Sequence, residues 1–155
     1  MSAPPALRAF IHANALIVGE TGLLLRGASG SGKSALTSEL LSLARRQDDF
    51  ARLIGDDRLS VEARGGRLIA RPHPKIAGMI EMRGTGILRQ PYETGGVIHA
   101  IIDLTPDAAA HERLPEPAAN RTTLLGVSLP RRFLTAENPR AASMIIHFIH
   151  IVTQI

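Results

Sequence analysis

The sequence predicts an α/β fold, with a central, mostly β sheet and flanking helices. Three observations carry this expectation. A short apolar run at 23–25 leads into the glycine-rich stretch Gly27-Ala28-Ser29-Gly30-Ser31-Gly32-Lys33-Ser34, and Leu36, Leu40 and Leu43 follow at i, i+4 and i+7, one face of a helix. A second apolar run, 97–104, has the continuous character of a buried strand. Short apolar runs separated by turn residues fill most of the rest, and a helical pattern closes the chain. The 155 residues, 45% of them hydrophobic, are enough for one domain with a real core, so a single domain over 1–155 is expected.

In chain order, residues 7–12 and 15–18 read as two short strands before a turn at Gly19-Glu20-Thr21-Gly22. The helix after the glycine-rich stretch is expected to end near Arg45-Arg46, whose charges suit a helix C-terminus. Gln47-Asp48-Asp49 reads as a loop. Leu53-Ile54 reads as a buried strand ending at Gly55-Asp56-Asp57. Residues 59–63 and 68–71 flank Arg64-Gly65-Gly66-Arg67, a hairpin signal. Pro72-His73-Pro74 breaks regular structure. The segment 76–88, with Gly78, Gly84 and Gly86, reads as an active loop rather than a core element. Residues 105–123, rich in Pro, Ala and Glu, read as an exposed connection, and 124–129 as a strand. Asn138-Pro139 is an N-cap and first-turn pair. It opens a last helix carrying Met144, Ile145, Phe148, Ile149 and Val152.

The stretch Gly27 to Ser34 fits G-x-x-x-x-G-K-[ST] at every fixed position, in the strand–loop–helix context that this motif requires. Glycines let backbone N–H groups turn toward an anion and approach it closely. The helix N-terminus adds partial positive charge. Lys33 is placed to reach the β- and γ-phosphates of a nucleotide, and the Ser34 hydroxyl to ligate Mg²⁺. Of 18 basic residues only Lys33 and Lys75 are lysine. An arginine-using chain thus keeps the compact ammonium at the phosphate-reaching position.

Other classes are disfavoured. There is no cysteine, hence no disulfide framework and no thiolate metal site. The first eight residues lack the apolar core of a signal peptide, and no run reaches the ~18 apolar residues of a membrane span, so a cytoplasmic protein is expected. The net charge of +4 is mild and aromatics are 3%, which argues against a basic groove with stacking platforms for nucleic acid.

A phosphate loop does not say what receives the phosphoryl group. Asp103 closes an apolar strand, the usual place of a Walker-B carboxylate. Asp56-Asp57 offers two adjacent carboxylates, one for Mg²⁺ and one to accept a proton from an attacking hydroxyl. Strand-end turns favour Asp at both places. Glu81 is a third acidic candidate. His12 bears on the chemistry only if the fold brings it beside Asp56 or Asp57.

Three segments together resemble the catalytic domain of HPr kinase/phosphorylase, which acts on a seryl hydroxyl of the phosphocarrier HPr. The first runs from His12 through Gly22 to the glycine-rich loop. The second is Arg52-Leu53-Ile54-Gly55-Asp56-Asp57-Arg58. The third and most specific is Ile80-Glu81-Met82-Arg83-Gly84-Thr85-Gly86-Ile87. The similarity covers about residues 10–114, with Arg113-Leu114 a weak match at its end. It implies a P-loop kinase fold related to the nucleotide-binding fold of phosphoenolpyruvate carboxykinase. It implies ATP and Mg²⁺ as cofactors, an HPr-type carrier as partner, and a homo-oligomer, hexameric in the family's long form. Carried over by position, Lys33 and the loop Gly27 to Ser34 hold phosphates, and Ser34 and Glu81 ligate Mg²⁺. Asp56 and Asp57 form the catalytic pair, His12 supports it, and Arg83 and Arg113 stabilise transferring charge. The chain resembles the short form found in alphaproteobacteria. Ala13 and Ala35 depart from the family's pattern, and its late segment is barely recognisable around Pro139-Arg140. The resemblance therefore implies the kinase direction more than phosphorolysis to pyrophosphate. Two other readings stand beside it: a small-molecule kinase or NTPase using Asp103, and a nucleotide-sensing module without turnover.

Overall fold

Alternation along β3 (Thr21–Arg26) sets the layering. Leu23 and Leu25 face one core with Ala100, Ile102 and Leu104, and Leu24 faces a second with Ile101. Both strands are therefore central, buried on both faces, which is why they read as continuous apolar runs. The computed structural model describes residues 7–107 and 120–153.

The main sheet has six strands in the order β11-β12-β10-β3-β2-β4. Its members are β2 (Asn14–Val18), β3, β4 (Ala51–Gly55), β10 (Ala100–Leu104), β11 (Arg121–Leu124) and β12 (Val127–Leu134). β10 runs parallel to β3 and to β12, whereas β2 is antiparallel to β3 and to β4. One face is covered by α1 (Lys33–Arg46) and α2 (Ala141–Thr153), whose Leu36, Leu40, Ile145 and Ile149 join Leu23 and Ile102 in the first core. Each fully buried leucine or isoleucine there contributes about 1.5–3 kcal/mol relative to exposure. The opposite face packs on a four-stranded antiparallel sheet, order β1-β5-β6-β9, through Val61, Leu68, Ala70 and Ile98. That sheet comprises β1 (Leu7–Ile11), β5 (Leu59–Arg64), β6 (Arg67–Pro72) and β9 (Gly96–Ile98). The two sheets are in close contact at Gly22, where an added Cβ would lie 1.9 Å from the Val97 carbonyl oxygen. There the Gly22 N–H donates to His99 Nδ1 at 2.9 Å, and the Gly22 carbonyl accepts from the His99 N–H at 2.8 Å.

The α/β class and the strand–loop–helix unit appear as expected, with α1 ending at Arg46. Three elements differ. The segment 76–88 is largely a hairpin, β7 (Met79–Met82) with β8 (Gly86–Arg89), and Ile80 is fully buried in the first core. The run 97–104 divides at His99, giving β9 to one sheet and β10 to the other. Residues 124–129 are a hairpin corner, because Leu125 and Gly126 both adopt positive φ between β11 and β12. The last helix starts at Ala141, with Asn138 accepting from the Arg140 N–H one turn earlier. Most of the exposed connection expected at 105–123 lies outside the described residues.

On the outer sheet, Glu62 is buried yet ringed by Arg71, Arg64 and Arg8 at 2.9, 2.9 and 3.5 Å. The Arg71 hydrogen bond, helped by Arg64 and Arg8, holds its carboxyl below the usual range against the opposing effect of burial.

Candidate active site

The glycine-rich loop joins β3 to α1. Gly30 and Gly32 take φ of 80° and 94°, which L side chains rarely adopt. Gly32 is the left-handed residue immediately before the first helical residue, Lys33. Lys33 is buried against its own loop, with Nζ donating to the Gly27 carbonyl at 2.7 Å and the Ala28 carbonyl at 3.4 Å. Ser31 Oγ is buried and has no hydrogen-bond partner among the described residues. A lysine that bonds only neutral carbonyls, an orphaned hydroxyl and a helix N-terminus without an acidic first turn fit an anionic phosphate chain.

The cleft beside this loop is about 440 Å³. Its walls are Ser29, Gly30, Gly32, Lys33 and Ser34 on one side, and Asp56, Asp57, Glu81 and Arg83 on the other. Position follows from the sheet. β4 lies at its edge beside β2, and an irregularity there sets Ala15 opposite Gly55 but Leu16 opposite Leu53, leaving Ile54 as the extra residue. Such a bulge re-aims the strand end. Asp56 and Asp57 leave the sheet at that point.

The two carboxylates are in different environments. Asp56 is buried, and its oxygens are occupied. Oδ1 accepts from Ser34 Oγ at 2.6 Å and from Asn14 Nδ2 at 2.8 Å, while Oδ2 accepts from the Glu81 backbone N–H at 2.9 Å. Asp57 has φ 61°, a left-handed conformation that Asp tolerates better than most residues. Its side chain is 56% exposed, 3.8 Å from His12 Nδ1.

Glu81 sits on β7, and Arg83 follows in the turn to β8. The Arg83 guanidinium comes within 3.9 Å of where a Gly30 Cβ would stand, so it faces the phosphate loop. Among the described residues no group of three or more His, Asp and Glu side chains forms a metal cage. The donors available, Ser34 and Glu81, suit Mg²⁺, which takes few protein ligands and fills the rest with phosphate and water oxygens.

Asp103 is on a different errand. It lies in register with Arg26 on the neighbouring strand, and its two oxygens accept from Arg26 Nε and Nη2 at 2.7 and 2.8 Å. Arg131 Nη1 adds a 3.6 Å contact. Arg113 lies outside the described residues. The residue that sequence reasoning missed is Asn14. It is fully buried and binds Asp56, Asp57 and Thr37 together. Its only sequence signal is a polar side chain between the apolar residues Ala13 and Ala15.

Strand, glycine-rich loop, helix and facing carboxylates define a P-loop kinase-type fold. The family model for the HPr serine kinase C-terminal domain matches residues 5–154, and the chain belongs to that family. It is 31% identical over 152 residues to the HPr kinase/phosphorylase of Limosilactobacillus reuteri, covering 91% of this chain and 45% of that protein. It is 32% identical over 131 residues to the same-named protein of Treponema pallidum, covering 77% and 39%. The chain thus spans less than half the length of these relatives. The fold is similar to that of the Hpr(Ser) kinase/phosphatase from Coxiella burnetii, with TM-score 0.72, 22% identity, and coverage of 94% of this chain and 99% of that one. No helix of the described residues is long and apolar enough to cross a membrane.

Proposed function

We propose that residues 1–155 form one catalytic domain, an ATP-dependent serine kinase acting on HPr or an HPr-like phosphocarrier in the cytoplasm. One observation carries the reading: the Asp56-Asp57 pair, with Glu81 and Arg83 of the family's signature segment, faces the phosphate loop across a single cleft. Family membership supplies the substrate class.

Lys33 leaves its loop carbonyls to hold the β/γ-phosphates, and the backbone N–H groups of the loop cradle them. Ser34 and Glu81 would hold Mg²⁺, which offsets charge on the phosphates when bound. Asp57, the open member of the pair, accepts the proton of the seryl hydroxyl as its oxygen takes the γ-phosphoryl group and the β–γ bridge breaks. His12 orients that carboxylate. Arg83 stabilises the charge spread over the transferring group. In the opposite direction Asp57 returns the proton to the seryl oxygen as inorganic phosphate attacks, releasing pyrophosphate. A homo-oligomer is part of this reading.

The test is incubation with Mg-ATP and purified HPr from the same organism, followed by intact mass. One added phosphoryl group, absent with Lys33→Ala, is the expected result. No added mass while ATP binding is intact would overturn the kinase reading in favour of a nucleotide sensor.

A further inference from the structure

We propose that Asn14 is a positioning residue for phosphoryl transfer: its amide holds the two aspartates of the catalytic pair in place beside the phosphate loop. The proposal rests on the kinase reading above and deepens it.

Asn14 opens β2 and is in register with Leu25, one residue before the end of β3 at Arg26. It therefore sits beside the entry to the glycine-rich loop. On its other side, Ala15 pairs with Gly55, next to Asp56. A fully buried primary amide has two N–H donors and one carbonyl to satisfy. Here all are used. Nδ2 donates to Thr37 Oγ1 at 3.0 Å and to Asp56 Oδ1 at 2.8 Å. Oδ1 accepts the Asp57 backbone N–H at 2.8 Å.

The orientation of the amide is dictated by its partners. The Thr37 hydroxyl donates its only proton to the Lys33 carbonyl at 2.7 Å, so toward Asn14 it acts only as an acceptor. Asp56 Oδ1, which also takes the Ser34 hydroxyl, is an acceptor as well, and the Asp57 N–H is a donor. Only one of the two flip states satisfies all three. One side chain thus connects α1 at Thr37, the buried carboxylate and the backbone of the open carboxylate.

The grip on Asp57 is two-sided. The Ala13 N–H donates to the Asp57 carbonyl at 3.2 Å, while Asn14 holds its N–H. These two bonds hold a left-handed backbone, φ 61°, that non-glycine residues rarely adopt. Without the Asn14 bond the Asp57 peptide is free to relax, and the side chain it carries moves relative to the phosphate loop. Displacement of a reacting group by about 1 Å costs ~100-fold in rate.

Asn14→Leu keeps the size and burial but removes every polar contact. Thr37→Val removes one contact of the same network and leaves both aspartates bound, which makes it the control. Steady-state transfer to HPr, Mg-ATP dissociation constants and thermal midpoints would be measured on all three proteins. For Asn14→Leu, kcat should fall about 100-fold with Mg-ATP affinity changed less than about threefold. Thr37→Val should lower the midpoint while keeping kcat within about threefold. An Asn14→Leu kcat within threefold of the parent, or kcat and Mg-ATP affinity falling together, overturns the proposal. Should Asn14→Leu not fold, Asn14→Ser is measured in its place under the same criteria. Amide hydrogen exchange adds a readout without turnover: the Asp57 N–H should be protected in the parent protein and lose protection in Asn14→Ser. Rapid Asp57 exchange in the parent would also sink the idea. If the parent transfers no phosphoryl group, the kinase reading fails, and the exchange measurement still decides whether Asn14 holds Asp57.

Discussion

Asp103→Asn separates the two carboxylate assignments that the sequence left open. Asp103 lies one residue before the end of β10, the strand parallel to the one that feeds the phosphate loop, and so occupies the Walker-B type of location. Its oxygens, however, form a bidentate pair with Arg26 at 2.7 and 2.8 Å. Substitution by asparagine removes the charge and turns one acceptor into a donor facing the guanidinium. The side chains are 29% and 17% exposed, between the surface and buried regimes. An exposed pair is worth ~0–1 kcal/mol, and breaking a buried one costs ~3–5 kcal/mol. The expected loss is therefore about 1.5–3 kcal/mol, the range for a hydrogen bond to a charged group. At ~2–4 °C per kcal/mol for a chain of this size, the thermal midpoint should fall by about 3–12 °C. Phosphoryl transfer to HPr should stay within about threefold, since Asp103 does not line the cleft. Circular dichroism melts and intact-mass rates measure the two effects on one preparation. An unchanged midpoint with transfer abolished would refute this reasoning and restore Asp103 as the metal carboxylate.

Asp57→Asn should lower transfer by ~10²–10⁴-fold with Mg-ATP binding retained, the size of a lost general base; undiminished rates would exclude Asp57 as the proton acceptor. His12→Ala should cost less, because the 3.8 Å contact to Asp57 is between exposed side chains, and a loss as large as that of Asp57→Asn would show a direct part in proton transfer. Gly22→Ala places a Cβ against a backbone oxygen that cannot rotate away, so overpacking should cost about 3 kcal/mol and be visible as a shift of the urea midpoint; a neutral substitution would mean that the two sheets separate easily there. His99 is held below its ordinary value of 6.5, first by burial and then by Arg67. The unfolded chain then binds the proton first, so stability is full above the usual histidine range and is lost as pH falls through it. Midpoints measured from pH 8 down to 5 should decline in the parent and be flatter in His99→Asn. The Glu62 contribution has the same sign but is lost only in the carboxylate range, so it does not interfere.

The legible parts were those whose signal is local. The glycine-rich loop carries its own spacing, α1 carries a helical stripe, and Arg64-Gly65-Gly66-Arg67 makes the expected turn between β5 and β6. What escaped depends on contacts distant in sequence. Both halves of 97–104 are apolar, and His99, the polar residue between them, does not by itself announce a change of sheet; its hydrogen-bond partner there is Gly22, 77 residues away. Glycines at 78, 84 and 86 hide a hairpin whose one buried residue, Ile80, anchors it. Asp103 read as a Walker-B candidate because nothing near it in sequence shows that Arg26 lies beside it. Asn14 fell outside the strand drawn from Ala15, and its three partners lie 23 to 43 residues away.

The pair of aspartates shows how adjacent residues of one type acquire different chemistry. Alternation alone would point them apart, but not bury one and expose the other. The bulge at Ile54 and the left-handed backbone at Asp57 do that. Asp56 turns inward to donors from Ser34, Asn14 and Glu81, so its oxygens tie α1, β2 and β7 together. Asp57 turns outward beside His12, with oxygen lone pairs open to a hydroxyl arriving from solvent. With three hydrogen bonds already accepted, Asp56 has little room for an incoming hydroxyl. On the kinase reading proposed above, environment divides the work: the same side chain is a fixed strut at Asp56 and the proposed proton acceptor at Asp57.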